Sequence, residues 1–187
     1  MPPTGLIYTL TVMVRVIDKF TETMGKVISW LTLLMVLLTF IIVVMRYGFN
    51  IGSIAMQELV LYFHGLVFML GAAYTLKGDG HVRVDIFYQR FSTKKKALVN
   101  IFGGIFLLLP VGVFIFFIST EYVATAWRIL EKSPEAGGLP FVYLNKSYLL
   151  ILAMTLLIQG IAEIGRNLLV LMDNGPEKEQ QPNAEIK

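Results

Sequence analysis

The chain has 187 residues, of which 56% are hydrophobic and only 16% charged, with a mean hydropathy of +0.68. A soluble domain carries about a quarter charged residues, so this composition excludes an ordinary soluble fold. With no cysteine, a disulfide framework, a thiolate metal site and a cysteine nucleophile are excluded too, and the net charge of +3 informs only through its placement.

The apolar residues gather in runs long enough to cross ~30 Å of hydrocarbon at 1.5 Å per residue. Four spans are predicted, in an all-α integral membrane fold with short interfacial amphipathic helices. Residues 1–26 read as an interfacial N-terminal segment. Leu6 to Phe20 is apolar but interrupted by Arg15, Asp18 and Lys19, too early to span. The first span, 27–45, holds no charge. Met45-Arg46-Tyr47-Gly48 offers no small-x-small cleavage site, so it is expected to be retained rather than removed as a signal peptide.

The second span, 54–76, contains Glu58 and His64. At 100° per residue, Gln57, Glu58, Leu61, His64, Gly65, Phe68, Gly71, Ala72 and Thr75 share one side of the helix, and bulky apolar residues take the other. A small, polar face is what a membrane helix packed against protein presents, so Gln57, Glu58 and His64 are predicted to lie in a packing seam. His64 admits three readings. Haem ligation by two histidines lacks a second buried one, since His81 falls in a loop. A direct proton relay with Glu58 must cover about 9 Å along the axis. The preferred reading is an interhelical hydrogen bond in the seam.

Between spans two and three, "GDGHVRVDIFYQRFSTKKK" (78–96) places Val84, Phe87, Tyr88 and Phe91 at i, i+3, i+4 and i+7. Arg83, Arg90 and Lys94 to Lys96 lie outside that stripe. This predicts a short helix in the bilayer surface, its cations near anionic lipid and Asp85 near its start. A docking loop for a partner subunit is the alternative; a catalytic His81/Asp85 pair has no accompanying nucleophile or metal-ligand cluster.

The third span, 97–126, carries Gly103, Gly104, Pro110 and Gly112, which predict a kink, and Glu121 near its far end. In the loop that follows, Pro134, Gly137, Gly138 and Pro140 exclude helix. Its charged residues Arg128, Glu131, Lys132, Glu135 and Lys146 are the candidate external contact surface. The fourth span, 147–171, lines up Thr155, Gln159, Glu163 and Arg166 on one side, with Glu163 and Arg166 spaced for an ion pair. Residues 173–187 form a polar tail with the composition of disorder.

With the N-terminus inside, twelve of the sixteen Lys and Arg residues fall on the cytoplasmic side and four outside, which predicts both termini inside. Trp30 and Tyr74 near inner ends, and Tyr47, Trp127, Tyr143 and Tyr148 near outer ends, fit interfacial belts.

The strings "QELVLYFHGLVFMLGAAYTLKGDGHVRVDIFY" (57–88), "WRILEKSPEAGGLP" (127–140) and "QGIAE" (159–163) resemble the small membrane subunit of tripartite ATP-independent periplasmic (TRAP) transporters. The likeness covers roughly residues 28 to 172. It implies a non-enzymatic scaffold subunit of the bacterial inner membrane, without cofactor, beside a separate large transport subunit and a periplasmic solute-binding protein, serving sodium-coupled uptake of an organic acid. On that resemblance the polar faces of spans two and four become seams, and the 128–146 loop a contact for the binding protein. A stand-alone four-helix carrier and a redox or quinone-binding subunit are the alternatives.

Overall fold

A computed structural model describes residues 5–80 and 88–172, which are helical and contain no strand. Four helices are long and apolar enough to cross a membrane: α1 (Gly5–Gly48), α2 (Ile54–Lys77), α3 (Thr93–Arg128) and α4 (Val142–Met172). Residues 173–187, expected to be a polar tail, lie outside the described residues.

The first helix differs from expectation. The sequence separates an interfacial helix near 6–20 from a span starting at 27, yet α1 is one helix of 44 residues, about 66 Å long. No proline or cap sequence ends it before Gly48. Of the charges that suggested a break, Asp18 meets Arg166 of α4 at 2.7 Å, while Arg15 and Lys19 stay exposed. Its buried residues, Val14, Thr21 and Ile28, fall at sevenfold spacing, the seam of a helix packed lengthwise on a neighbour.

A short turn returns the chain into α2, whose N-cap Ser53 accepts a hydrogen bond from the Met56 N–H at 3.4 Å. The two helices run antiparallel, with Lys77 at the end of α2 paired to Glu22 of α1 at 2.8 Å. In α3 the stretch for which a kink is predicted holds a π-helical turn over Gly104–Leu108. Proline has no N–H and its ring presses on the carbonyl four residues back; here the turn before Pro110 widens, and the Leu109 N–H reaches the Gly104 carbonyl, five back. Both α3 and α4 begin four to five residues earlier than the apolar runs at 97 and 147 suggested, because polar residues such as Thr93, Lys94 and Asn145 are accommodated in their first turns.

The centre of the bundle is α4, against which α1, α2 and α3 all pack. Its buried residues are small or polar: Ala153, Thr155, Gln159, Gly160, Ala162, Gly165 and Asn167. Glycines set the α3–α4 approach. A Cβ on Gly112 would lie 2.8 Å from Leu157, and one on Gly160 would lie 2.7 Å from Leu108. Membrane helices gain contact in this way, by bringing backbones close where hydrocarbon gives no hydrophobic drive.

Candidate functional site

The polar residues predicted as one seam divide between three places. At the end of the bundle holding the α4 C-terminus, they form a connected network within the chain. Gln159 is fully buried and satisfied at both ends: its Oε1 accepts from Thr21 Oγ1 at 2.7 Å, and its Nε2 donates to Asp18 Oδ1 at 3.1 Å. Arg166 donates through Nη2 to both Asp18 oxygens, at 2.7 and 2.8 Å, and through Nη1 to Glu163. From Glu163 the chain of bonds continues to Asn167 Nδ2, while Asn100 Nδ2 donates to Asn167 Oδ1 at 3.2 Å. Tyr88 closes the series, its hydroxyl donating to Asn100 Oδ1 at 3.0 Å.

This network ties α1, α3, α4 and the segment before α3 in a region where an unpaired charge is costly. Thr155 does not join it, because its hydroxyl bonds back to the Ile151 and Leu152 carbonyls of its own helix. Asp18, Thr21, Asn100 and Asn167 were missed by sequence reasoning. The two asparagines inside apolar runs were the available signal.

Glu58 belongs to the opposite end. Its Oε1 accepts from Ser133 Oγ and its Oε2 accepts the Leu139 N–H at 2.6 Å. The loop between α3 and α4 is also tied internally, by Ser133 N–H to the Leu139 carbonyl at 3.0 Å and Gly138 N–H to that of Glu135 at 3.0 Å. Gly137 has φ +82°, the left-handed region that favours glycine. Gly138 leaves the space that Glu58 occupies: a Cβ there would sit 2.8 Å from the carboxylate oxygen. Glu58 is thus a brace inside this chain, holding a long loop in one shape.

The charged residues of that loop have separate fates. Lys146 pairs with Glu131 at 2.6 Å and lies over the Tyr122 ring, 4.0 Å from its centroid. Arg128 reaches Glu121 at 3.1 Å on the surface. Lys132 and Glu135 are exposed and make no ion pair with the described residues, so both are presented outward. In the segment predicted as a surface helix, Arg83, Asp85 and Phe87 lie outside the described residues. Tyr88 is held by Asn100 and packs near Phe91, with ring centroids 6.4 Å apart, and Arg90 and Phe91 are exposed.

The third place is an outward face of α2. Gln57, Leu61, His64, Phe68 and Thr75 are exposed, spaced three, four or seven residues apart, and so form a stripe about 27 Å long. His64 stands at its middle. Its ring lies near Phe68, centroids 6.4 Å apart, and its nitrogens have no hydrogen-bond partner among the described residues. Beside this stripe α1 and α2 enclose a groove of about 550 Å³, lined by Gly25, Ser29, Thr32, Phe68, Gly71 and Thr75 among others. Nothing in the chain comes within 4 Å of a Cβ placed on Gly71. A mid-helix glycine costs about 1 kcal/mol against alanine, and here no internal contact requires it.

Among the described residues no group of three or more His, Cys, Asp or Glu side chains is arranged to hold a metal ion. The geometry consists of an internal polar network, a braced loop and an outward-facing polar stripe. A family model described as "Tripartite ATP-independent periplasmic transporters, DctQ component" matches residues 35–169. No curated protein and no solved structure matches the chain.

Proposed function

Because the chain belongs to the DctQ component family of tripartite ATP-independent periplasmic transporters, and is therefore a small membrane subunit of such a transporter, we propose that it acts as fixed scaffold beside the large transport subunit. The observation that carries this reading is the outward stripe of α2. An imidazole facing hydrocarbon without a partner is expensive, and the adjacent groove beside Ser29, Gly71 and Thr75, open over Gly71, admits the backbone of another helix at close range. The large subunit supplies that helix, with a hydrogen-bonding group opposite His64. The braced loop, with Lys132 and Glu135 outward, offers a preformed surface to the periplasmic solute-binding protein. The cation bias of the sequence supports both termini in the cytoplasm of a bacterium, across its inner membrane. Sodium coupling and choice of an organic acid belong to the other two components.

Co-purification of the large subunit with the affinity-tagged chain tests this. Gly71→Leu places a side chain in the groove from a position where an added Cβ meets nothing within 4 Å, and His64→Leu removes the hydrogen-bonding group. Each is expected to reduce recovery of the large subunit roughly tenfold or more, as a loss of 1.4 kcal/mol does, while the chain itself stays folded. Full recovery with both variants together would overturn the assignment of this face.

A further inference from the structure

The outward side of α3 carries a second groove with a different chemistry. It has a volume of about 560 Å³ and is lined by Leu98, Val99, Phe102, Gly103, Phe106 and Leu107. All six belong to one helix, at and just before the π turn. The Phe102 and Phe106 rings stand 4.3 Å apart and form one wall. Gly103 is the floor. A Cβ there meets nothing within 4 Å, and its backbone is ordinary right-handed helix. Its neighbour Gly104 has an internal reason to be glycine, since a Cβ would lie 2.8 Å from Ile164. Gly103 has none, although glycine weakens a helix interior.

One turn beyond the groove towards the start of α3, Lys94 and Lys95 are exposed. Lys95, Leu98, Val99 and Phe102 fall at i, i+3, i+4 and i+7, so the cation stands over the mouth of the groove on the same face. The arrangement is ordered along the helix: cations first, then a trough lined almost wholly by hydrocarbon. The α2 face has the opposite character, with hydrogen-bonding groups at intervals along its length, as a helix partner requires.

We infer that the α3 groove is a binding site for an anionic phospholipid, with the headgroup phosphate at Lys94 and Lys95 and one acyl chain lying over Gly103 between Leu98 and the Phe102–Phe106 wall. Charge complementarity selects the headgroup, and each lysine near an anionic surface contributes attraction of the size that retains a lipid. The groove belongs to α3 alone, and the site is independent of the large-subunit assignment.

The test is native mass spectrometry of the tagged chain, alone and in its native complex, titrated in mild detergent with phosphatidylglycerol or phosphatidylcholine. The wild type is expected to retain phosphatidylglycerol in preference. Gly103→Leu, which fills the trough, should lower retention of both lipids roughly tenfold. Lys94→Gln with Lys95→Gln should leave phosphatidylcholine unchanged and reduce phosphatidylglycerol by roughly fivefold for each charge removed. Unchanged phosphatidylglycerol retention in Gly103→Leu overturns the site. So does loss of a protein partner from the Gly103→Leu complex with lipid retention intact, because the trough would then seat a helix. The lysine variants alter only exposed side chains, and equal binding of both lipids by the wild type would refute the headgroup assignment without any appeal to folding.

Discussion

Arg166→Leu is expected to destabilise the bundle by about 2 kcal/mol, between the cost of breaking an exposed ion pair and that of breaking a buried one, because the pair is half-buried. The loss falls mainly on Asp18. Both its oxygens accept from Arg166, and its side chain is only 21% exposed, so deleting the guanidinium leaves a carboxylate with one remaining donor, Gln159. Because the damage is an orphaned charge rather than a lost attraction, a second change should repair it. Asp18→Leu in the Arg166→Leu background is expected to restore part of the stability, since Asp18 is then no longer an orphaned charge, while Glu163 still lacks its cation and keeps Asn167 as donor. Unfolding in mixed detergent micelles measures both. A double variant as unstable as the single one would mean that the pair contributes through packing, and the charge argument would fail.

Glu58→Leu is expected to release the loop between α3 and α4 while leaving the helices in place. Two hydrogen bonds to a carboxylate are removed, each worth about 1.5–3 kcal/mol. The Leu139 N–H, which donates directly to Glu58, should therefore exchange with solvent roughly a hundredfold faster or more. Amide exchange at Leu139, read against amides of the α4 interior, isolates the effect. If the loop is the seat of the binding protein, docking should weaken in parallel, because a mobile surface must be ordered before it binds. Exchange at Leu139 as slow as in the wild type would show that the loop holds itself, and Glu58 would lose its role as brace.

These two residues also show what the sequence could and could not say. The four long apolar helices were legible because length, charge exclusion and period are local properties. So was the alignment of Gln159, Glu163 and Arg166 on one face of α4. Their partner Asp18 was not, since it sits 148 positions from Arg166, in a segment that charge alone marked as outside the membrane. Glu58 was legible as an expensive residue near a helix start, but its partners include a backbone N–H 81 positions away, which no side-chain pattern announces. The polar face of α2 was visible too, but not the direction in which it points. A small and polar face signals contact with protein, and it reads the same whether that protein is the chain itself or another. Only the fold shows that Glu58 turns inward, to Ser133 and Leu139 of the loop between α3 and α4, while Gln57 and His64 turn out.

The central position of α4 sets a timetable for synthesis. When the ribosome has delivered residues up to 141, α1 and α2 already have each other, but α3 still lacks the helix on which it packs, and Asp18 lacks its guanidinium. For that interval Asn100, Asp18 and the open glycine face of α3 wait in or beside the bilayer for a helix not yet made. The last of the four long helices to be made is thus the one that closes the structure, and a chain stopped before it would hold a hairpin and a stray helix rather than a smaller version of the fold.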